Sequence, residues 1–215
     1  MPEEPETLSL HASIAGIRRA ATAMVLVLVA CLFWWPLTSG AAEPTYDHLD
    51  PVTGYRIERY QAAVPETPPA GERVWIPRID SLVDTDRAVL VDVSPVTGLG
   101  YDPKTGQWRN AKPHSSLPGA VWLPEVGRGV IDDTVGRFFE TNLARLTDGD
   151  KARPVILFCH ADCWMSWNAM KRAAGLGYTR LYWFAEGTDG WRDWDRTLIP
   201  IAPTPIEVSG TTGVP

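Results

Sequence analysis

The chain has 215 residues, 45% hydrophobic and 21% charged, which is ample apolar material for one globular domain with extensions. Its formal net charge is −6, and basic residues occur singly or in pairs, which argues against a nucleic-acid partner. Nineteen prolines and eighteen glycines predict long irregular connections between elements.

Residues 1–42 have the layout of a targeting segment. Arg18 and Arg19 precede an apolar run from Ala20 to Trp35, and Gly40 and Ala42 supply small residues for cleavage. At about 16 residues, the run is at the short edge of what spans a bilayer. Cleavage after Ala42 is the preferred reading, with an uncleaved N-terminal anchor as the alternative; only in that case would the chain meet the membrane. Either way the folded part is expected to be exported. Cleavage also removes Cys31, leaving Cys159 and Cys163 to be paired, protected or chemically used in an oxidising compartment.

Residues 43–72 carry Pro44, Pro51, Pro65, Pro68 and Pro69 with Tyr46, Tyr55 and Tyr60 interspersed. That composition predicts an extended arm laid on the domain, anchored by its tyrosines. Residues 74–76 are a short strand candidate, 79–82 a brief helix, and 88–93 a strand apolar on both faces. Residues 94–113 read as a long loop, either a functional one or a surface excursion. Residues 121–123 form a third short strand. Over 132–146, Val135, Phe138, Phe139, Leu143 and Leu146 share one helical face behind Asp132 and Asp133. A last strand is expected at 180–184, and residues 200–215 as a flexible tail.

The chemistry concentrates between the apolar strand Val155–Phe158 and a helix for which Ser166 is a plausible N-cap. The loop between them holds Cys159, His160, Ala161, Asp162 and Cys163, followed by Trp164 and Met165. A loop leaving a buried strand for a helix N-terminus stabilises anions, so Cys159 stands where a nucleophilic thiolate belongs, with its pKa expected to be lowered. A structural disulfide or two inert buried thiols are the alternatives. His160 and Asp162 add two potential metal ligands, but one tight loop seldom completes a tetrahedral set, so no metal is expected. No cofactor is called for. Asp92 reads as a structural acceptor at a strand end, and His114 as the residue that ties down its own turn. Trp164, Trp167, Trp183, Trp191 and Trp194 read as core and lid residues, with an aromatic docking surface as the alternative.

Strands alternating with helices imply one α/β domain with a mostly parallel sheet, whose ligands bind beyond the carboxyl ends of the strands. Within that frame, residues 88–93, the stretch His114-Ser115-Ser116-Leu117-Pro118-Gly119-Ala120, Phe158-Cys159 and Glu186-Gly187-Thr188-Asp189-Gly190-Trp191 resemble the rhodanese domain over about residues 73–199. More narrowly, 163–172 followed by 187–191 is similar to exported rhodanese-like proteins with a Cys-x-x-Cys-Trp motif, associated with pyrroloquinoline-quinone (PQQ)-dependent catabolism. Here three residues separate the cysteines, Ser94 stands where rhodaneses often carry arginine, and the loop after Cys159 has no arginine. The resemblance implies a rhodanese-like α/β domain in the periplasm that performs sulfur transfer or thiol-disulfide chemistry on Cys159; Cys163, extra to the family's loop and four residues on, is expected to attack the adduct. Its partner would be a small sulfur compound or a thiol/disulfide, in a pathway of PQQ-dependent alcohol catabolism. The alternative is a non-catalytic accessory protein on the same scaffold, serving a PQQ-dependent dehydrogenase system.

Overall fold

A computed structural model describes residues 46–96, 100–109 and 112–208. The targeting segment, Cys31 and residues 209–215 lie outside the described residues. Five strands form an all-parallel sheet: β1 (Glu72–Arg73), β2 (Val89–Asp92), β4 (Val121–Trp122), β5 (Val155–Phe158) and β6 (Leu181–Phe184), in the spatial order β1-β6-β5-β2-β4. A second, antiparallel pair joins β3 (His114–Ser116) to β7 (Ile199–Ile201). The helices are α1 (Ile76–Asp84), α2 (Asp133–Leu146), α3 (Trp164–Gly175) and α4 (Gly187–Asp193). The mostly parallel α/β sheet flanked by helices is therefore present.

Side-chain alternation along β5 explains how the sheet is covered. Val155, Leu157 and Cys159 enter one core with Phe138, Phe139 and Leu143 of α2 and Met165, Ala169 and Ala173 of α3. Ile156 and Phe158 enter the other with Ile76, Ile79 and Leu82 of α1 and Trp191 of α4. Both faces are buried, which is why the strand reads as an unbroken apolar run. Each buried Leu, Ile or Phe contributes about 1.5–3 kcal/mol. Asp132 caps α2 by accepting from the Val135 N–H at 2.8 Å, as its position at the head of the periodic stretch predicts.

Several boundaries differ from expectation. The strand expected at 74–76 ends earlier, at Arg73, and Ile76 already opens α1. Pro77 in the first helical turn has no N–H to leave unpaired there, which favours a helix start over a strand. His114–Ser116, read as a turn, is a strand, because β7 supplies a partner some eighty residues later. The tail is pinned as far as Ile206: Thr204 N–H donates to Trp122 O at 2.9 Å, and Ile206 is buried with its N–H on Gly106 O at 2.9 Å. Ile201 and Ile206 both pack on the core, and that apolar burial is what holds the segment down. The described part of the long loop folds back through a Tyr101–Trp108 bridge and sets Trp108 against Phe138 of α2.

Candidate functional site

Cys159 is the first residue past β5, at the carboxyl edge of the sheet. Cys163 is the N-cap residue of α3, its backbone still extended at φ −111° and ψ 110°. The N-cap therefore falls at Cys163 rather than Ser166. Ser166 lies in the first turn, fully buried, where its hydroxyl donates to Cys163 O at 3.1 Å and accepts from Trp183 Nε1 at 2.9 Å. Both thiols are free, with residue exposures of 0% for Cys159 and 2% for Cys163.

The start of α4 braces the loop from one side. Thr188 N–H donates to Cys159 O at 2.9 Å, His160 bridges Gly187, and Ala161 N–H reaches the Asp189 carboxylate at 3.0 Å. Gly187 has φ +53°, and a Cβ there would lie 2.1 Å from Cys159 O, so this contact needs glycine.

The two sulfurs ionise unequally. Burial, then the neighbouring Cys163, pushes the Cys159 thiol well above its usual range. Its Sγ lies 3.4 Å from Cys163 O and 3.7 Å from His160 O, two acceptors that suit an S–H and repel a thiolate. Cys163 is lowered to about 5, first by the hydrogen bond from Cys159, with burial opposing and His160 and the Met165 N–H assisting. His160 is raised to about 9, chiefly by its hydrogen bond to Cys163. The expectation of a lowered Cys159 is thus reversed: the carbonyls face Cys159, while the helix amide and the imidazolium serve Cys163. These directions place negative charge on Cys163 in preference to Cys159, with His160 as its positive neighbour. Among the described residues no three His, Cys, Asp or Glu side chains converge on a metal position.

The outer side of the loop is covered by the arm. Gln61 forms an antiparallel bridge with Cys163, Ala62 N–H donates to Asp162 O at 2.9 Å, and Trp164 N–H donates to Tyr60 O at 2.8 Å. Gln61 Nε2 adds a bond to Ala161 O at 3.1 Å. Asp162 itself takes φ +53°, and its backbone rather than its carboxylate is what meets the arm. Trp164 Nε1 donates to Ala63 O at 3.0 Å, with the Arg56 guanidinium 4.9 Å over its ring and Tyr46 edge-on at 5.1 Å. Trp167 Nε1 donates to Thr67 O at 3.2 Å.

Asn168 and Arg172 were not singled out from the sequence, yet they complete this clasp. The Asn168 carboxamide accepts from Arg56 N–H at 3.0 Å and donates to Arg56 O at 2.8 Å and Gly127 O at 2.9 Å. Arg172 donates to Val126 O at 2.5 Å and Arg128 O at 3.0 Å. Trp164, Asn168 and Arg172 recur every fourth residue, so they share a stripe of α3, and a buried polar residue in such a stripe is the signal that marks them. The segment they hold is tightly fitted: a Cβ on Gly127 would sit 2.2 Å from Met165 O, and one on Gly129 would sit 2.3 Å from Arg56 O.

One strand over, buried Asp92 accepts from Ser116 Oγ at 2.6 Å, Ser94 N–H at 2.8 Å and His114 Nε2 at 2.8 Å. It ties the end of β2 to strand β3, and its three bonds go to Ser94, His114 and Ser116 rather than to the cysteine loop. Trp183 and Trp191 are buried core residues, whereas Trp194 is 58% exposed.

No protein-family model and no curated protein matches the sequence. Among solved structures, the chain is similar to a thiosulfate sulfurtransferase from Pseudomonas aeruginosa, with TM-score 0.41 and 18% identity over 65% of this chain and 22% of that one. It is also similar to EanB in complex with hercynine, with TM-score 0.41 and 16% identity over 62% of this chain and 32% of that one. An EanB persulfide in a tetrahedral intermediate state with ergothioneine gives TM-score 0.41 and 15% identity over the same shares of 62% and 32%. The chain thus spans about a fifth to a third of the length of the solved chains it matches.

Proposed function

We propose that the chain is an exported rhodanese-like protein that carries sulfur, or exchanges disulfides, on the Cys159–Cys163 pair. One observation carries the reading: two free cysteines share one loop at the carboxyl edge of a parallel sheet, Cys159 at the end of β5 and Cys163 at the N-cap of α3. With a sulfane donor such as thiosulfate, Cys163 attacks the outer sulfur, the S–S bond breaks, and sulfite leaves with the electron pair. Cys163 is left as a persulfide. Cys159 then attacks the inner sulfur of that persulfide. A Cys159–Cys163 disulfide forms and hydrosulfide leaves, taking the Cys159 proton and the two electrons the cysteines give up. A dithiol reductant returns the pair to its starting state. With a disulfide substrate the same two displacements pass through a mixed disulfide.

Export to the periplasm rests on the Arg18-Arg19 and 20–35 pattern, and a role in PQQ-dependent alcohol catabolism rests on the motif resemblance at 163–172. A second reading, the accessory protein serving a PQQ-dependent dehydrogenase system, is favoured by the near-complete burial of both sulfurs. Mass spectrometry of the folded protein with thiosulfate, and separately with a small disulfide, decides between them. Cys159→Ser is expected to retain an adduct on Cys163, and the wild-type protein to pass to an internal disulfide. No adduct in the wild type, Cys159→Ser or Cys163→Ser would leave only the accessory reading.

A further inference from the structure

We infer that the outer backbone edge of the cysteine loop is a receptor for an extended polypeptide segment, and that arm residues 60–62 are its occupant in the free protein. The edge offers a donor, Trp164 N–H, and two acceptors, Asp162 O and Ala161 O. A small anion carries acceptors alone and would leave Asp162 O without the N–H it takes from Ala62. An extended backbone presents N–H and C=O groups alternately, and the antiparallel bridge between Gln61 and Cys163 shows the register.

Most of the hydrogen bonds that hold the arm grip its main chain, beside side-chain contacts from Gln61, Tyr60 and Arg56. The atoms gripped are Tyr60 O, Ala62 N, Ala63 O, Thr67 O and both Arg56 backbone groups. Such contacts tolerate other sequences in the same conformation. The small side chains of Ala62 and Ala63 let the backbone lie close. Cys159 and Cys163 are 0% and 2% exposed, and residues 60–62 lie along the backbone of the loop that holds them. A partner segment that takes their place restores the bonds to Trp164 N–H and Asp162 O and lies along Cys163. The proposal deepens the dithiol reading by naming the substrate class as polypeptide, and it rests on that reading for the chemistry that follows docking.

The test measures iodoacetamide alkylation of Cys163 in the folded full chain by mass spectrometry. Ala62→Pro deletes the N–H that bonds Asp162 O and is expected to speed alkylation about tenfold, the weight of one such bond in a buried setting. Trp167→Phe removes only the bond to Thr67 O and is expected to speed it a few fold. A synthetic peptide of residues 57–65, added to Ala62→Pro, is expected to slow alkylation again, whereas the same peptide N-methylated at the Ala62 position does not. If Ala62→Pro loses its near-ultraviolet circular dichroism, Trp167→Phe carries the decision. Wild-type alkylation rates in the folded variants, or equal effects of the two peptides, would overturn the receptor. Sulfur loading is read separately: gating without loading removes the dithiol function and keeps the receptor, and loading without gating does the reverse.

Discussion

Replacing His160 by glutamine tests the ionisation of the site most directly. Cys163 lies at about 5 against an ordinary thiol at 9.0, a shift worth about 5 kcal/mol in favour of thiolate at roughly 1.4 kcal/mol per unit. One charge-assisted hydrogen bond accounts for about 1.5–3 kcal/mol, or one to two units. His160→Gln should therefore move the midpoint from about 5 to roughly 6–7, leaving the Cys159 S–H and the Met165 N–H to hold the remainder. The stability consequence follows from each group's sign. Cys163 is depressed, so its contribution is present above the unfolded thiol value of 9.0 and is lost as pH falls through about 5. His160 is raised, so its contribution is full below 6.5 and is lost as pH rises through about 9. Between 6.5 and 9 the two slopes cancel, and the net gain, about 2 kcal/mol, appears only between pH 5 and 6.5. The assay is thiolate ultraviolet absorbance against pH, taken as the difference between wild type and Cys163→Ser, with urea melts at matched pH. A low midpoint that survives Cys163→Ser and disappears in Cys159→Ser would show that the charge sits on the wrong sulfur, and the reasoning would fail.

Asn168→Ala deletes three hydrogen bonds in a buried clasp and should destabilise the fold by about 2–4 kcal/mol in urea melts, with faster proteolysis of the arm. Gly187→Ala forces a Cβ against Cys159 O and should cost about 1–3 kcal/mol while also raising the Cys163 midpoint, because the loop must shift. Asp92→Ala strands the Ser116 hydroxyl and should lower stability by about 3 kcal/mol, leaving the thiolate titration of Cys163 unchanged. Trp164→Ala empties a fully buried ring site and should cost about 3–5 kcal/mol by calorimetry.

What could be read from the chain alone was local. Val155–Phe158 announced itself as a strand because both its faces are buried, and Asp132 announced α2 because a capping side chain acts three residues away. Cys159 at the strand end followed from the same logic. The β3–β7 pair did not show, since strands of three residues have no periodicity and their partners are remote. Nor did the ionised sulfur: which cysteine faces carbonyls and which faces an amide depends on how the loop turns at Asp162, a left-handed residue that no spacing rule marks. Trp164 was legible as a buried ring, but the indole N–H partners of Trp164 and Trp167 lie in the arm about a hundred residues earlier.

That separation has a kinetic consequence. The bonds from Asn168 to Arg56 close a span of 112 residues, and those from Trp164 and Trp167 to the arm close spans of 101 and 100. Loop closure of this length carries a large entropy cost and is repaid only after β5, α3 and the sheet beneath them are in place. The predicted order is that the arm, synthesised first, docks last. For the interval between, Cys159 and Cys163 stand on a formed sheet edge without their cover, open to any oxidant or thiol in the surroundings. The redox state sealed into the folded protein is therefore decided by a race between arm docking and thiol chemistry, and slower docking gives the surroundings the longer say.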